Sequence, residues 1–198
     1  MHVLLSRICK KGIKIYQLMK WSDRVQIFQS TNECEKRLNN EIEKIRKSME
    51  DFIHKSKVQE VDAKVKALSN FRAESYEMMN QIQHEWLAVS AVKYLLDMNS
   101  IKEIEKEKYS VEWNPRQTGK KSEPNIRVFI KETKTIINCE CTSSKEPLGV
   151  IDTRIRKDLE SLSEMNGVKY YFVISDSMKK RAETKIRKKG FAIEVVKL

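Results

Sequence analysis

The run TIINCECTSSKEP, residues 135–147, sets an acid inside an apolar stretch, with Glu140 between Cys139 and Cys141. Alternate side chains of a strand point to opposite faces. Asn138, Glu140 and Thr142 therefore share one face, and Ile137, Cys139 and Cys141 share the other. Three chemistries suit such a strand: thiolates holding a metal, a carboxylate placed for catalysis, and a solvated edge. A thiolate zinc site would recruit Cys9 and Cys34, but the chain has no Cys-x-x-Cys knuckle of the kind structural zinc prefers. Free cysteine packs as a small hydrophobe. That puts Cys139 and Cys141 in a core and leaves the face of Glu140 to hold a site.

A carboxylate so placed fits phosphodiester hydrolysis. That reaction needs a water made more acidic and a clamp on charged oxygens, and one or two Mg²⁺ (or Mn²⁺) ions supply both. Mg²⁺ takes hard oxygen ligands and keeps several waters, so two or three converging carboxylates suit it. The charge balance agrees, since a formal net charge of +11 over 198 residues favours a polyanionic partner, most simply nucleic acid. Two segments concentrate the basic residues. RQTGKK carries Arg116, Lys120 and Lys121, and the last helical pattern carries Lys179, Lys180, Arg181, Lys185, Arg187, Lys188 and Lys189. Contacts of this kind neutralise phosphates without reading sequence.

Other classes lack support. No run approaches the roughly 18 apolar residues that span a bilayer. The opening MHVLLSRICKKGIKIYQ is broken early by Arg7, Lys10 and Lys11, unlike a secretory signal. An intracellular, cytoplasmic setting with reduced thiols and no membrane partner follows as the expectation. No P-loop, GxSxG or HExxH pattern occurs.

The elements that would position Glu140 change character near residue 100. Residues 1–30 read as one or two short helices. Ser30, Thr31 and Asn32 offer caps for a helix that follows. Ile42, Ile45, Met49 and Phe52 then step by three and four, as do Val61, Val65 and Leu68, with a turn or stutter near residues 54–58. The seam calls for a partner helix, from an antiparallel hairpin in the same chain or from a second copy. A further helix over residues 73–98 would bury Met79, Ile82, Trp86, Val89, Val92 and Leu96. From there EKYSVEW, IRVFIK, TIINCECT, KYYFVIS and FAIEVVKL read as strands. Helices fall before the last two, stopped by Gly167 and Gly190. The prediction is a helical, coiled-coil-like arm over residues 1–72 and an α/β domain over 73–198, with a mixed sheet between helices.

This order, with an acid in the third strand, resembles the PD-(D/E)xK nuclease superfamily, the restriction-endonuclease-like fold. The resemblance covers roughly residues 73–198. It implies that Glu123, in SEPNI, stands at the first acid of the motif, and Glu140 at the acid of the acid-x-Lys pair. Thr142 stands where the family has lysine. Glu85, in QHEWLAVSAV, is the helical acid, with Glu77 a competitor two turns earlier. On this likeness Glu85, Glu123 and Glu140 would bind the metal, and Glu123, Glu140, Thr142 and Lys145 would form the catalytic set. The charge of the absent lysine could come from Lys145, Arg154 or Lys157. The implied activity is metal-dependent cleavage of DNA by a homodimer joined through its N-terminal helices. The competing expectation is a nuclease-fold protein that binds nucleic acid, or acts as a scaffold, without cutting.

Overall fold

The computed structural model describes residues 26–28, 30–57, 60–102, 104–115 and 123–198. Helix α1, Thr31–Ser56, opens on Ser30, whose Oγ accepts the Glu33 N–H at 3.4 Å. That bond satisfies one of the donors a helix start leaves open. Helix α2, Val61–Met98, returns antiparallel to α1: Phe52 stacks on Phe71 with ring centroids 5.2 Å apart, and Lys93 reaches Glu35 at 2.8 Å. The seam is thus partnered in part within the chain. Ile45 is buried between the helices, whereas Ile42, Met49, Val61, Val65 and Leu68 are exposed.

Helix α2 runs unbroken through residues 72 and 73 and extends about 57 Å at 1.5 Å per residue. Its second half buries Ala88, Val89, Val92, Leu95 and Leu96. The predicted stripe holds for Val89, Val92 and Leu96 but not for Met79 and Trp86, which are exposed. The sheet covers only the last turns of the helix. Upstream, α1 covers a different side, so the buried face rotates along α2.

The chain is a mixed α/β protein. Its six strands, among the described residues, lie in sequence order: β1 Gln26–Phe28, β2 Tyr109–Trp113, β3 Ile126–Ile130, β4 Thr135–Thr142, β5 Val168–Val173 and β6 Glu194–Lys197. Pairing is antiparallel from β1 to β4 and parallel from β4 to β6. Residues 26–28 are a strand against β2, not the helix their apolar and basic mixture predicts; the rest of that expected helical segment lies outside the described residues. Helix α3, Val150–Ser163, crosses from β4 to β5, and helix α4, Asp176–Lys189, crosses from β5 to β6. Gly167, at φ 96°, makes the turn into β5, where a Cβ would run into the Ile136 carbonyl. Gly190, at φ 69°, caps α4 in the left-handed conformation.

Each face of the sheet carries its own core. On one face α2 packs on Val111, Trp113, Val128, Cys139, Cys141 and Phe172. On the other, α3 and α4 pack on Tyr171, Val173 and Val195. β4 therefore sits where antiparallel pairing turns parallel and where the flanking helices change sides.

Candidate functional site

The second face of β4 carries Asn138, Glu140 and Thr142, all buried. It belongs to a polar row that crosses the antiparallel strands. The register sets Glu112 against Arg127, and Arg127 against Asn138. Arg127 Nη1 donates to Glu112 Oε2 at 2.9 Å and Nε donates to Asn138 Oδ1 at 2.7 Å. Asn138 Nδ2 donates onward to the Asn166 carbonyl at 2.6 Å. Burial raises the Glu112 carboxyl and lowers the Arg127 guanidinium, and their mutual attraction opposes both shifts. Sequence reasoning missed Glu112 and Arg127. The signal was an arginine at an alternating position inside the apolar IRVFIK.

Above this ladder stand the two predicted acids, Glu123 at 4% exposure and Glu140 at 2%. Ile126 pairs with Cys139, and the Cys141 N–H donates to Asn125 Oδ1 at 2.7 Å. The Asn114 N–H donates to the Asn125 carbonyl at 2.8 Å, and Asn114 Nδ2 to Glu123 Oε2 at 3.4 Å. β3 begins only at Ile126, so Glu123 and Asn125 lie in the segment that leads into it, beside the end of β4 that carries Glu140 and Thr142. Asn125 is fully buried, yet its Nδ2 has no hydrogen-bond partner among the described residues. A buried amide donor left unmade costs about 1–3 kcal/mol, and a phosphate oxygen or a water would satisfy it.

Thr142 Oγ1 lies 2.7 Å from Tyr171 Oη on the parallel neighbour β5. Burial raises the Tyr171 phenol first, and the charges of Asp158 and Glu140 add to the rise, while the Thr142 bond and Arg154 oppose it. Arg154 and Asp158, both on α3, are 3.8 Å apart. The Arg154 charge also reaches His84 on α2, a buried imidazole pushed down to about 4 by burial and then by that charge. Thus Arg154 acts on groups from both sides of the site's upper end. Lys145 is exposed in the loop after β4, where its carbonyl accepts from Ser175 Oγ at 2.6 Å and Ser177 Oγ at 2.8 Å. Those bonds fasten the start of α4 to the end of β4. Lys157 is exposed on α3.

Glu85 is fully buried on α2, with Oε2 3.9 Å from Arg37 Nε on α1. Among the described residues, no group of three or more His, Cys, Asp or Glu side chains gathers to hold a metal ion. The expected trio of Glu85, Glu123 and Glu140 is therefore not assembled. Glu123 and Glu140 are both buried hard oxygen donors, the ligand type that Mg²⁺ or Mn²⁺ takes, and Mg²⁺ is commonly held by one or two carboxylates plus waters. The thiols do not fit a soft metal. Cys34 is pushed up to about 12, mainly by burial, and burial also raises Cys139 and Cys141 well above the ordinary thiol value. Cys9 lies outside the described residues.

The basic residues divide. Arg116, Lys120 and Lys121 lie outside the described residues. On α4, Arg181 grips Asp152 of α3 with both arms, Nε at 2.6 Å and Nη2 at 2.9 Å, and Lys185 joins at 3.0 Å. The Arg181 hydrogen bond is the largest of the effects that hold the Asp152 carboxyl well below the usual carboxylate range. Lys179 faces Glu183 at 3.9 Å and Lys189 faces Glu160 at 3.8 Å. Lys180, Arg187 and Lys188 are exposed.

No helix of the described residues is long and apolar enough to cross a membrane. Compared with protein-family models, curated proteins and solved structures, the chain matches none.

Proposed function

We propose that the chain is a metal-dependent nuclease that hydrolyses phosphodiester bonds in DNA, built on the PD-(D/E)xK plan. One observation carries this reading: Glu123, three residues before β3, and Glu140, on β4, are buried at 4% and 2% exposure, and β4 is the strand at which antiparallel pairing gives way to parallel. The order of α2, β2, β3, β4, α3 and β5 supports it. Glu123 and Glu140 would hold Mg²⁺ or Mn²⁺. When bound, the ion acidifies water and draws charge from a phosphate oxygen. The buried Asn125 amide would donate to a phosphate oxygen. Thr142, fixed by Tyr171, carries no charge. Arg154 supplies positive charge near that pair, and Lys145 lies in the loop after β4. The cations of α4 would hold the DNA backbone.

A second reading rests on the Thr142–Tyr171 bond at the place of the family's lysine: a nuclease-fold protein that binds nucleic acid and does not cut. Incubation with supercoiled, linear and branched DNA, under Mg²⁺ and Mn²⁺, separates the two. Cleavage lost in Glu140→Gln and in Glu123→Gln supports the enzyme. No cleavage of any substrate under either metal supports the binder. Exposed Val61, Val65 and Leu68 offer a helical seam through which two copies would pair; a sedimentation coefficient unchanged across concentration would exclude that pairing.

A further inference from the structure

Between α3 and α4 lies a groove of about 190 Å³ lined by five cations: Arg156 from α3, and Arg181, Lys185, Lys188 and Lys189 from α4. Two carboxylates are shared among them. Asp152 takes both Arg181 and Lys185, while Glu160 takes Arg156 at 3.6 Å and Lys189 at 3.8 Å. Lys188 makes no ion pair among the described residues. Cations outnumber acids in a concave surface, where the field of one sign is focused. The floor is apolar, from Leu159 and Phe191, and Thr184 adds a hydroxyl.

The groove is not part of the Glu123–Glu140 end. The start of α4 is tied to the loop after β4 through Lys145. Lys188 is twelve residues farther along α4 than Asp176, about 18 Å at 1.5 Å per residue. A nucleic-acid strand in a duplex carries one phosphate per 3.4 Å of axis, so about five nucleotides cover that span.

We propose that the groove between α3 and α4 is a second site for the phosphate backbone of DNA, reached by a strand that runs the length of α4 from the loop after β4. This rests on the reading of the chain as a DNA-acting protein, but its test does not need cleavage. Arg156 belongs to this site although it lies outside the basic run of α4. Asp152 and Glu160 orient the cations and temper their charge.

The test is anisotropy of a fluorescein-labelled 20-nucleotide strand, its duplex and a four-nucleotide strand, with the full chain in EDTA. The double variant Arg156→Ala/Lys188→Ala is compared with Lys44→Ala/Arg46→Ala, which removes the same charge from exposed positions on α1. The groove variant is expected to bind the 20-nucleotide DNA about tenfold more weakly and to lower the salt slope by about one to two contacts. The α1 control is expected to change little. Asp152→Asn, which releases Arg181 and Lys185, is expected to tighten binding more than Asp51→Asn on α1, which makes the same charge change. Equal losses in the two double variants, equal binding of four and twenty nucleotides, equal binding of polyglutamate, or no binding of DNA would each overturn the groove. Selective loss of binding in a protein that cuts nothing under Mg²⁺ or Mn²⁺ would overturn only the nuclease reading and support the groove.

Discussion

The hydroxyls of Thr142 and Tyr171 lie 2.7 Å apart across the parallel pair β4 and β5, both buried. The bond ties the last residue of the acid-bearing strand to the face covered by α3. Tyr171→Phe leaves the Thr142 hydroxyl without that partner and is expected to cost about 1–2 kcal/mol. Thr142→Val/Tyr171→Phe removes both polar ends, and is expected to cost less than the two single changes combined. Urea unfolding of the four proteins gives the coupling. A coupling near zero would mean that the contact does nothing for stability.

The ladder Glu112–Arg127–Asn138 makes a larger demand. Arg127 is 6% exposed and bonds to both neighbours. Arg127→Met leaves a half-buried carboxylate and a buried amide oxygen without their donor, and a loss of about 3 kcal/mol is expected. Adding Glu112→Gln to Arg127→Met removes the stranded charge and should recover part of that loss. Thermal unfolding of the single and double variants decides it; a double variant less stable than the single one contradicts the argument.

Two titrations are expected to pull stability in opposite directions. Burial pushes Asp158 up to about 6, with Arg154 opposing, and burial pushes His84 down to about 4, with Arg154 reinforcing. Between about pH 4 and 6 native Asp158 holds a proton that the unfolded chain has released. Its contribution to stability therefore falls as pH rises through that window. His84 behaves oppositely: between about pH 4 and 6.5 the unfolded chain takes a proton that the native imidazole refuses, so stability falls as pH drops. Asp158→Asn should stabilise the protein at pH 7 by up to about 3 kcal/mol, at 1.36 kcal/mol per unit, and have little effect at pH 4. His84→Gln should flatten the loss on the acid side. Urea midpoints of both variants at pH 4.5 and 7 test the signs.

Much of this architecture was legible because alternation is a strong signal. TIINCECT and KYYFVIS read as strands, and Gly190 stops α4 at positive φ, whereas α3 ends at Ser163 and Gly167, four residues on, makes the turn into β5. The alternation in TIINCECT also separates Cys139 and Cys141, buried under α2, from Glu140 on the other face. What stayed hidden depended on partners far away in sequence. The continuity of α2 was obscured because its buried side rotates, with Leu68 exposed and Ser75 buried. The Glu112–Arg127 pair went unnoticed, since only the register of β2 against β3 sets the two opposite each other. Glu85 had the right type on the right helix, but no periodicity reveals that Arg37 of α1 lies 3.9 Å from it.

The pair Glu123 and Glu140 makes a prediction that does not require a turnover. A cation that binds the folded chain and not the unfolded one raises stability by RT ln(1 + [L]/Kd). Mg²⁺ or Mn²⁺ at 100 times its Kd is therefore expected to add about 2.7 kcal/mol. Glu140→Gln and Glu123→Gln should each lose that increment, while Glu85→Gln, at a side chain beside Arg37, should keep it. Melting curves with and without metal, at constant ionic strength, read the effect directly. An equal rise in all four proteins would show that the ion binds elsewhere, and a loss in Glu85→Gln would restore that residue as a ligand.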